Sequence, residues 1–349
     1  MLGFVAVSVL PVSLRAQPPA DDSIHRVRLA DFQPPSESPT LPPPSIWGQG
    51  GCDDASGPVP ECHLFFTGEL LALQPRQRYL DYALLVPRDA TLPDGPVLAL
   101  NYEFRPGFRV GVGMNWCTDW QAGVFYTNFY SKDQAHTNTI DSDQMLLATR
   151  LRPGLIVAVD RADATASINF NLYDLEIGRA LPVGEGMTLH LFSGVRFVNF
   201  QQETTVQYDG LDAIGARSFQ RQEVDGFGLR LGGQWDMNLG WNFSFFTRAA
   251  GSLLTCQNKT TVLETTDLGS TILTNWQDSS RRIVTVAELA LGLSYETHCF
   301  KASVGYQLIQ WFGLVDVQDF VSDMQFGNTV RRTADLGFDG LMVQLLFTY

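Results

Sequence analysis

From Leu64 to the C-terminus the chain is patterned in twos. The segment FGLRLGGQWDM puts Phe227, Leu229, Leu231, Trp235 and Met237 on one side and Gly228, Arg230, Gly232, Gln234 and Asp236 on the other. WNFSFFTRA sets Trp241, Phe243 and Phe245 against Asn242, Ser244 and Arg248. FKASVGYQL opposes Phe300, Ala302, Val304, Tyr306 and Leu308 to Lys301, Ser303, Gly305 and Gln307, and FRVGVGMNW does the same around Arg109 and Gly111. Strict alternation places alternate side chains on opposite faces of a strand. The last ten residues, GLMVQLLFTY, carry such a row through Leu341, Val343, Leu345 and Phe347 to the terminal Tyr349.

The connections alternate between short and long. Short ones fall at Cys117–Asp119, Pro182–Gly186, Asn238–Gly240 and Glu296–Cys299; long ones fall near 74–100, 131–165, 208–223, 263–281 and 316–337. This predicts an antiparallel up-and-down meander of ten strands, or twelve if a further hairpin lies within 77–104 or 145–160.

A soluble sandwich would also alternate, so the choice rests on which face meets what. The polar faces hold Gly, Ser, Asn and Gln rather than the Lys/Glu mixture of a solvated sheet. Trp116, Trp120, Trp235 and Trp241 flank the short connections, where an interfacial aromatic girdle belongs. An aromatic last strand suits a barrel that must close on its first strand, near Phe65 to Leu73, and leave no unpaired edge in lipid. The fold class expected is all-β: a transmembrane antiparallel barrel over 61–349 with short periplasmic turns, long extracellular loops and its apolar rows against lipid. The aromatic C-terminal strand, Tyr349 included, is also what an outer membrane insertion machinery would engage.

Composition narrows the class. The chain has 349 residues and a formal net charge of −13, which argues against a nucleic-acid partner. No run of about 18 uncharged apolar residues follows the N-terminus, so no spanning helix is expected. Residues 1–16, MLGFVAVSVLPVSLRA, read as the apolar part of a secretory signal with Ala16 as candidate cleavage position, although no Lys or Arg precedes it. Residues 17–60 are rich in Pro, Ser, Gly and Asp and read as an extended periplasmic linker. Of five cysteines, Cys52 and Cys62 are close enough for a candidate disulfide, with free thiols the alternative. No Cys/His spacing suggests a metal, and no cofactor motif occurs.

The chemistry-bearing residues lie on the polar faces. If Asn238-Leu239-Gly240 is a three-residue hairpin, Met237 pairs with Trp241, Gln234 with Ser244, and Arg230 with Arg248. Two facing arginines would each cost about 2–4 kcal/mol in lipid, so they require a wet lumen with acids nearby. Glu288 is the first candidate counter-charge, with Asp174 and Glu176 further round; Arg109, Arg196 and Lys301 complete the lining set. These residues either form a constriction felt by small solutes or ions or fill a narrow barrel as a structural ion-pair network. Gly111, Gly113, Gly123, Gly232 and Gly305 either make room for a channel or relieve crowding. No HExxH or GxSxG occurs; His190 is placed among polar lumen residues and His25 and His298 in solvent, so no enzyme activity is expected.

The phrases LYDLEIGRAL, LHLFSGVRFVNFQQ, VDGFGLRLGGQWDM and VGYQLIQWFGLVDV, with the aromatic terminus, resemble the Legionella-type major outer membrane protein family over roughly 64–349. The resemblance implies a bacterial outer membrane barrel with porin-like diffusion of small solutes. The alternative is a non-conducting structural or adhesive barrel whose acidic loops bind external partners or divalent cations.

Overall fold

The computed structural model describes residues 63–349 except 90–91, 117–118, 141–142, 152–157 and 321–328. The expected signal segment, the linker over 17–60 and the Cys52–Cys62 pair lie outside the described residues.

Ten strands close a barrel: β1 (His63–Gln77), β4 (Arg105–Asn115), β5 (Trp120–Asn138), β8 (Arg161–Gly184), β9 (Met187–Gly210), β10 (Ala213–Gly240), β11 (Phe243–Thr266), β12 (Thr271–Glu296), β13 (Phe300–Phe320) and β14 (Thr329–Thr348). Neighbours pair antiparallel in chain order, and β14 returns to β1 with Phe347 opposite Phe66 and Val343 opposite Leu70. Backbone hydrogen bonds between Leu64 and Tyr349, 3.0 and 2.8 Å, carry the seam to the last residue. Closure satisfies the backbone polar groups that an open edge would expose to hydrocarbon.

The suspected extra hairpins are real but do not widen the barrel. β2 (Asp81–Pro87), β3 (Val97–Ala99), β6 (Gln144–Ala148) and β7 (Ala158–Val159) form a separate four-stranded sheet in the order β3-β2-β6-β7. It is built from the β1–β4 and β5–β8 connections. Its Tyr82, Ala83, Val86 and Leu146 are buried. All but Val86 share a core with Ala162, Ala164 and Ala166 of β8 and Val206 and Tyr208 of β9. The Tyr208 hydroxyl donates to the Tyr82 carbonyl at 2.5 Å, and the Tyr82 and Thr137 hydroxyls lie 2.9 Å apart.

The stretches 208–223 and 263–281, expected as loops, are strand almost throughout. β9 to β12 run 24 to 28 residues, whereas crossing a bilayer takes about 9–11. Turns at Leu211-Asp212 and around Asp267–Gly269 close them far beyond the lipid band.

The outward face is apolar from the short-turn end upward. Leu64, Phe66 and Leu70 on β1, Phe227, Leu229 and Leu231 on β10, and Leu341, Val343, Leu345 and Phe347 on β14 are exposed. From Phe227 to Met237 the band is roughly 25 Å tall, taking about 3.3 Å per residue at a tilt near 40°. Above it the outward positions turn polar: Asn171 on β8, Asn199 on β9, Asp225 on β10, Gln257 on β11, Gln74 on β1 and Asp339 on β14. Asn171 accepts from Asn128 at 2.9 Å, and Asn199 donates to Asp225 at 2.8 Å.

Candidate functional site

The expected hairpin register is wrong by a change of turn. Trp241 and Asn242 both have positive φ, 56° and 67°, the signature of a two-residue type I′ turn. Asn238, Leu239 and Gly240 are therefore the bulged end of β10. Gln234 then faces Arg248, Arg230 faces Ser252, and Met237 faces Phe245. The two arginines are four positions apart along the strands rather than opposed.

All eight candidate lining residues point inward, and the barrel brings seven of them together. Arg196 of β9 is the centre. It donates to both carboxylate oxygens of Asp174 at 2.6 and 2.8 Å and pairs with Glu288 Oε1. Arg230 of β10 donates to Glu176 at 3.0 Å and to Glu288 Oε2 at 2.9 Å, with a further contact to Glu288 Oε1. Glu288 thus serves two arginines from two other strands. Arg109 reaches Glu176 at 3.3 Å and Asp174 at 3.5 Å. Arg248 crosses the lumen to Glu69 of β1 at 3.3 Å, a partner that the sequence reading missed although Glu69 lies on the inward parity of β1. Four guanidiniums, of Arg109, Arg196, Arg230 and Arg248, meet four carboxylates, of Glu69, Asp174, Glu176 and Glu288. The layer is neutral, and Arg196 and Arg230 are each only 1% exposed.

Lys301 is apart, near the short-turn end, with Asp236 at 3.5 Å and Glu296 at 3.3 Å. His190, also buried, lies 3.9 Å from Asp236. Of the expected girdle, Trp116 and Trp120 flank the β4–β5 connection and Trp235 sits partly exposed on β10. Trp241 is 94% exposed on its turn and Tyr349 is exposed at the seam.

Aromatic rings close the charge layer from both sides. Below it, Phe65, Phe125 and Leu346 form a small apolar cluster. The Arg109 guanidinium lies 4.7 Å from the Phe125 ring centre and that of Arg230 5.5 Å from Phe192, distances at which a ring face attracts a cation. The inward glycines make room for these rings: a Cβ at Gly113 would overlap Phe65, and one at Gly232 would overlap Phe192. Above the layer, Phe129, Phe170 and Phe338 pack as a trio with centroids 5.2 to 5.5 Å apart.

Higher still, β13 bulges inward. Its pairing with β14 skips between Trp311 and Val315, Gly313 takes φ 62°, and Leu314 to Val317 are all buried. Gln222 donates to the Leu314 carbonyl at 2.7 Å and Gln220 to that of Asp316 at 3.0 Å. The Asp316 carboxylate takes Arg282 at 2.5 Å and Thr260 at 3.4 Å, together with Asn258.

The space left in the charge layer is small. A cavity lined by Glu69, Arg109, Glu176, Arg230 and Arg248 has a volume of about 30 Å³, enough for one or two waters. One beside the β13 bulge, lined by Gln202, Gln222 and Asp316, has about 20 Å³. Among the described residues no group of three or more His, Cys, Asp or Glu is arranged to hold a metal ion.

Residues 58–349 match the family described as the Legionella pneumophila major outer membrane protein precursor. The chain belongs to that family. As a member of the Legionella major outer membrane protein family it is a bacterial outer membrane β-barrel, seated in lipid by the apolar band described above. Among solved structures it is similar to the outer membrane protease OmpT from Escherichia coli. The identity is 12% and the TM-score 0.46, over 82% of this chain and 97% of the other. A TodX mutant, a monoaromatic hydrocarbon channel, matches at 9% identity and TM-score 0.32, over 82% and 90%. Ail of Yersinia pestis matches at 10% and 0.23, over 83% and 99%. At such scores these three say nothing about activity. No curated protein matches the chain.

Proposed function

We propose that this member of the family is a closed barrel, an outer membrane scaffold that carries an extracellular extension and does not conduct solutes at rest. The observation that supports this most directly is the sharing of Glu288 by Arg196 and Arg230. A selectivity constriction presents its charges to a water column; here the charges are spent on one another. The layer has no net charge with which to bias an ion, and aromatic layers lie above and below it. A ten-strand barrel has little interior beyond what side chains can fill, and the cavities in the charge layer and beside the β13 bulge hold only about 30 and 20 Å³. The extracellular extension, with its inserted four-stranded sheet, is then the working surface, and no catalytic step is assigned to it.

Porin-like diffusion, which the family resemblance implies, is the competing reading. It would require the arginine–carboxylate layer and the Phe129–Phe170–Phe338 trio to part. Reconstitution separates the two. The closed reading expects no swelling of proteoliposomes in small sugars and no stepwise current in planar bilayers from protein that shows folded, heat-modifiable mobility. Steady conductance from such protein, altered in ion preference by Arg248→Glu, would establish the pore instead.

A further inference from the structure

One feature outside the barrel interior has the dimensions of a ligand site. Where β1 rises above the lipid band beside β14 and β13, the outer surface opens into a cavity of about 730 Å³, within the range of small-molecule sites. Arg76, Arg78, Tyr79, Asn101 and Asp335 are among its walls. Its position is fixed by the strand pattern. Gln74 pairs with Asp339, the level at which both outward rows change from apolar to polar. Below that level Leu70 and Leu341 are 69% and 57% exposed and face hydrocarbon, and Leu308, 45% exposed, lies level with Asp339.

The polar wall is divided by charge. Arg76 donates to Asp339 at 2.7 Å, and Asp339 also accepts from the Tyr306 hydroxyl at 2.6 Å, so that guanidinium is partly neutralised and held in place. Arg78, two residues on, has no ion-pair partner among the described residues, in a chain whose net charge is −13. Asp335 is turned to accept from the Gly313 N–H at 2.8 Å, leaving acceptor capacity for hydroxyl groups. Exposed Tyr79 adds an aromatic face.

A ligand matching this surface has acyl chains below, a phosphate at the boundary and sugar hydroxyls above. We propose that the cavity binds the phosphorylated sugar headgroup of an outer-leaflet glycolipid, with the phosphate on Arg78 and Arg76 and the acyl chains against Leu70 and Leu341. Arginine suits the task because its planar fork donates two parallel hydrogen bonds to phosphate oxygens. The site does not depend on whether the barrel conducts.

The full chain in detergent micelles is titrated with bisphosphorylated lipid A, with the same lipid after dephosphorylation, and with inorganic phosphate, and binding is read by native mass spectrometry. The phosphorylated lipid is expected to bind, and the other two to bind far more weakly. Arg78→Gln, an exposed change outside the barrel interior, is expected to weaken lipid binding about fivefold, from about 1 kcal/mol per basic residue at an anionic surface. Arg78→Glu is expected to weaken it further, and both variants should keep wild-type heat-modifiable mobility. Equal affinity for the dephosphorylated lipid, inorganic phosphate matching the lipid, or Arg78→Gln and Arg78→Glu both binding like wild type would each overturn the assignment.

Discussion

The lower and upper halves of the barrel solve the same filling problem with opposite chemistry. In the lipid-embedded half the interior is ionic, four arginines against four carboxylates with phenyl rings under them. In the upper half it is mainly a hydrophobic core, Val206, Tyr208, Val224 and Leu336 with Tyr82 and Leu146 brought in by the inserted sheet, interrupted by one polar cluster in which Asp316 meets Arg282, Asn258 and Gln222. The outer surfaces invert this, greasy below and polar above. The difference teaches that solvent dictates only the outside. An interior excluded from both lipid and water accepts either chemistry, provided every charge is paired and every void filled.

That comparison can be broken most sharply at Glu288. Glu288→Ala leaves Arg196 and Arg230 short of a shared partner in a closed interior, and should lower stability by about 3–5 kcal/mol. The loss would be read as a drop in the urea midpoint of heat-modifiable mobility. The lower half as a structural ion network predicts a partial rescue when Arg230 is also replaced by methionine, since this leaves Arg196 with Asp174, Arg109 with Glu176 and Arg248 with Glu69, and apolar side chains of similar volume often substitute for buried ion pairs. A rescue that fails completely would mean that the charges do something besides fill space.

Next in size, Phe338→Ala in the ceiling trio should cost about 3–4 kcal/mol by cavity formation, on the same assay. An effect under about 1 kcal/mol would show that the upper packing is slack and could part readily. On the lipid face, Leu231→Arg is expected to cost about 2–4 kcal/mol near midplane. The same change at outward Gln257, above the band, should be close to neutral, and equal costs at the two positions would misplace the boundary. Smallest of all, Trp241→Ala on its exposed turn should stay within about 0.5 kcal/mol, while changing tryptophan fluorescence on transfer from detergent to lipid.

Much of the fold could be read from the residues in order. Parity along each strand is local: Arg230 and Gln234 must share a face whatever else the chain does. Even the missed interior rings left a trace. In the doublets Phe65-Phe66 and Phe245-Phe246 one ring must point inward, and Phe192 has the parity of His190 and Arg196. The register of β10 against β11 was misread because it depended on φ at Trp241 and Asn242, which the tripeptide Asn238-Leu239-Gly240 seemed to make unnecessary. The long connections were misread because a strand that leaves lipid no longer needs an apolar outer row, so its alternation weakens while its pairing continues.

The sequence by itself determined the lipid-embedded part of the strands, its faces and the direction in which each candidate lining residue points, because side-chain alternation is a property of one strand. Only the tertiary structure decided which acid meets which arginine. Arg248 finds Glu69, and Arg196 and Arg230 converge on Glu288, across a lumen whose width follows from strand number and stagger, and no local pattern encodes that width. The same closure turned a set of inward charges from candidate pore lining into a neutral packed layer.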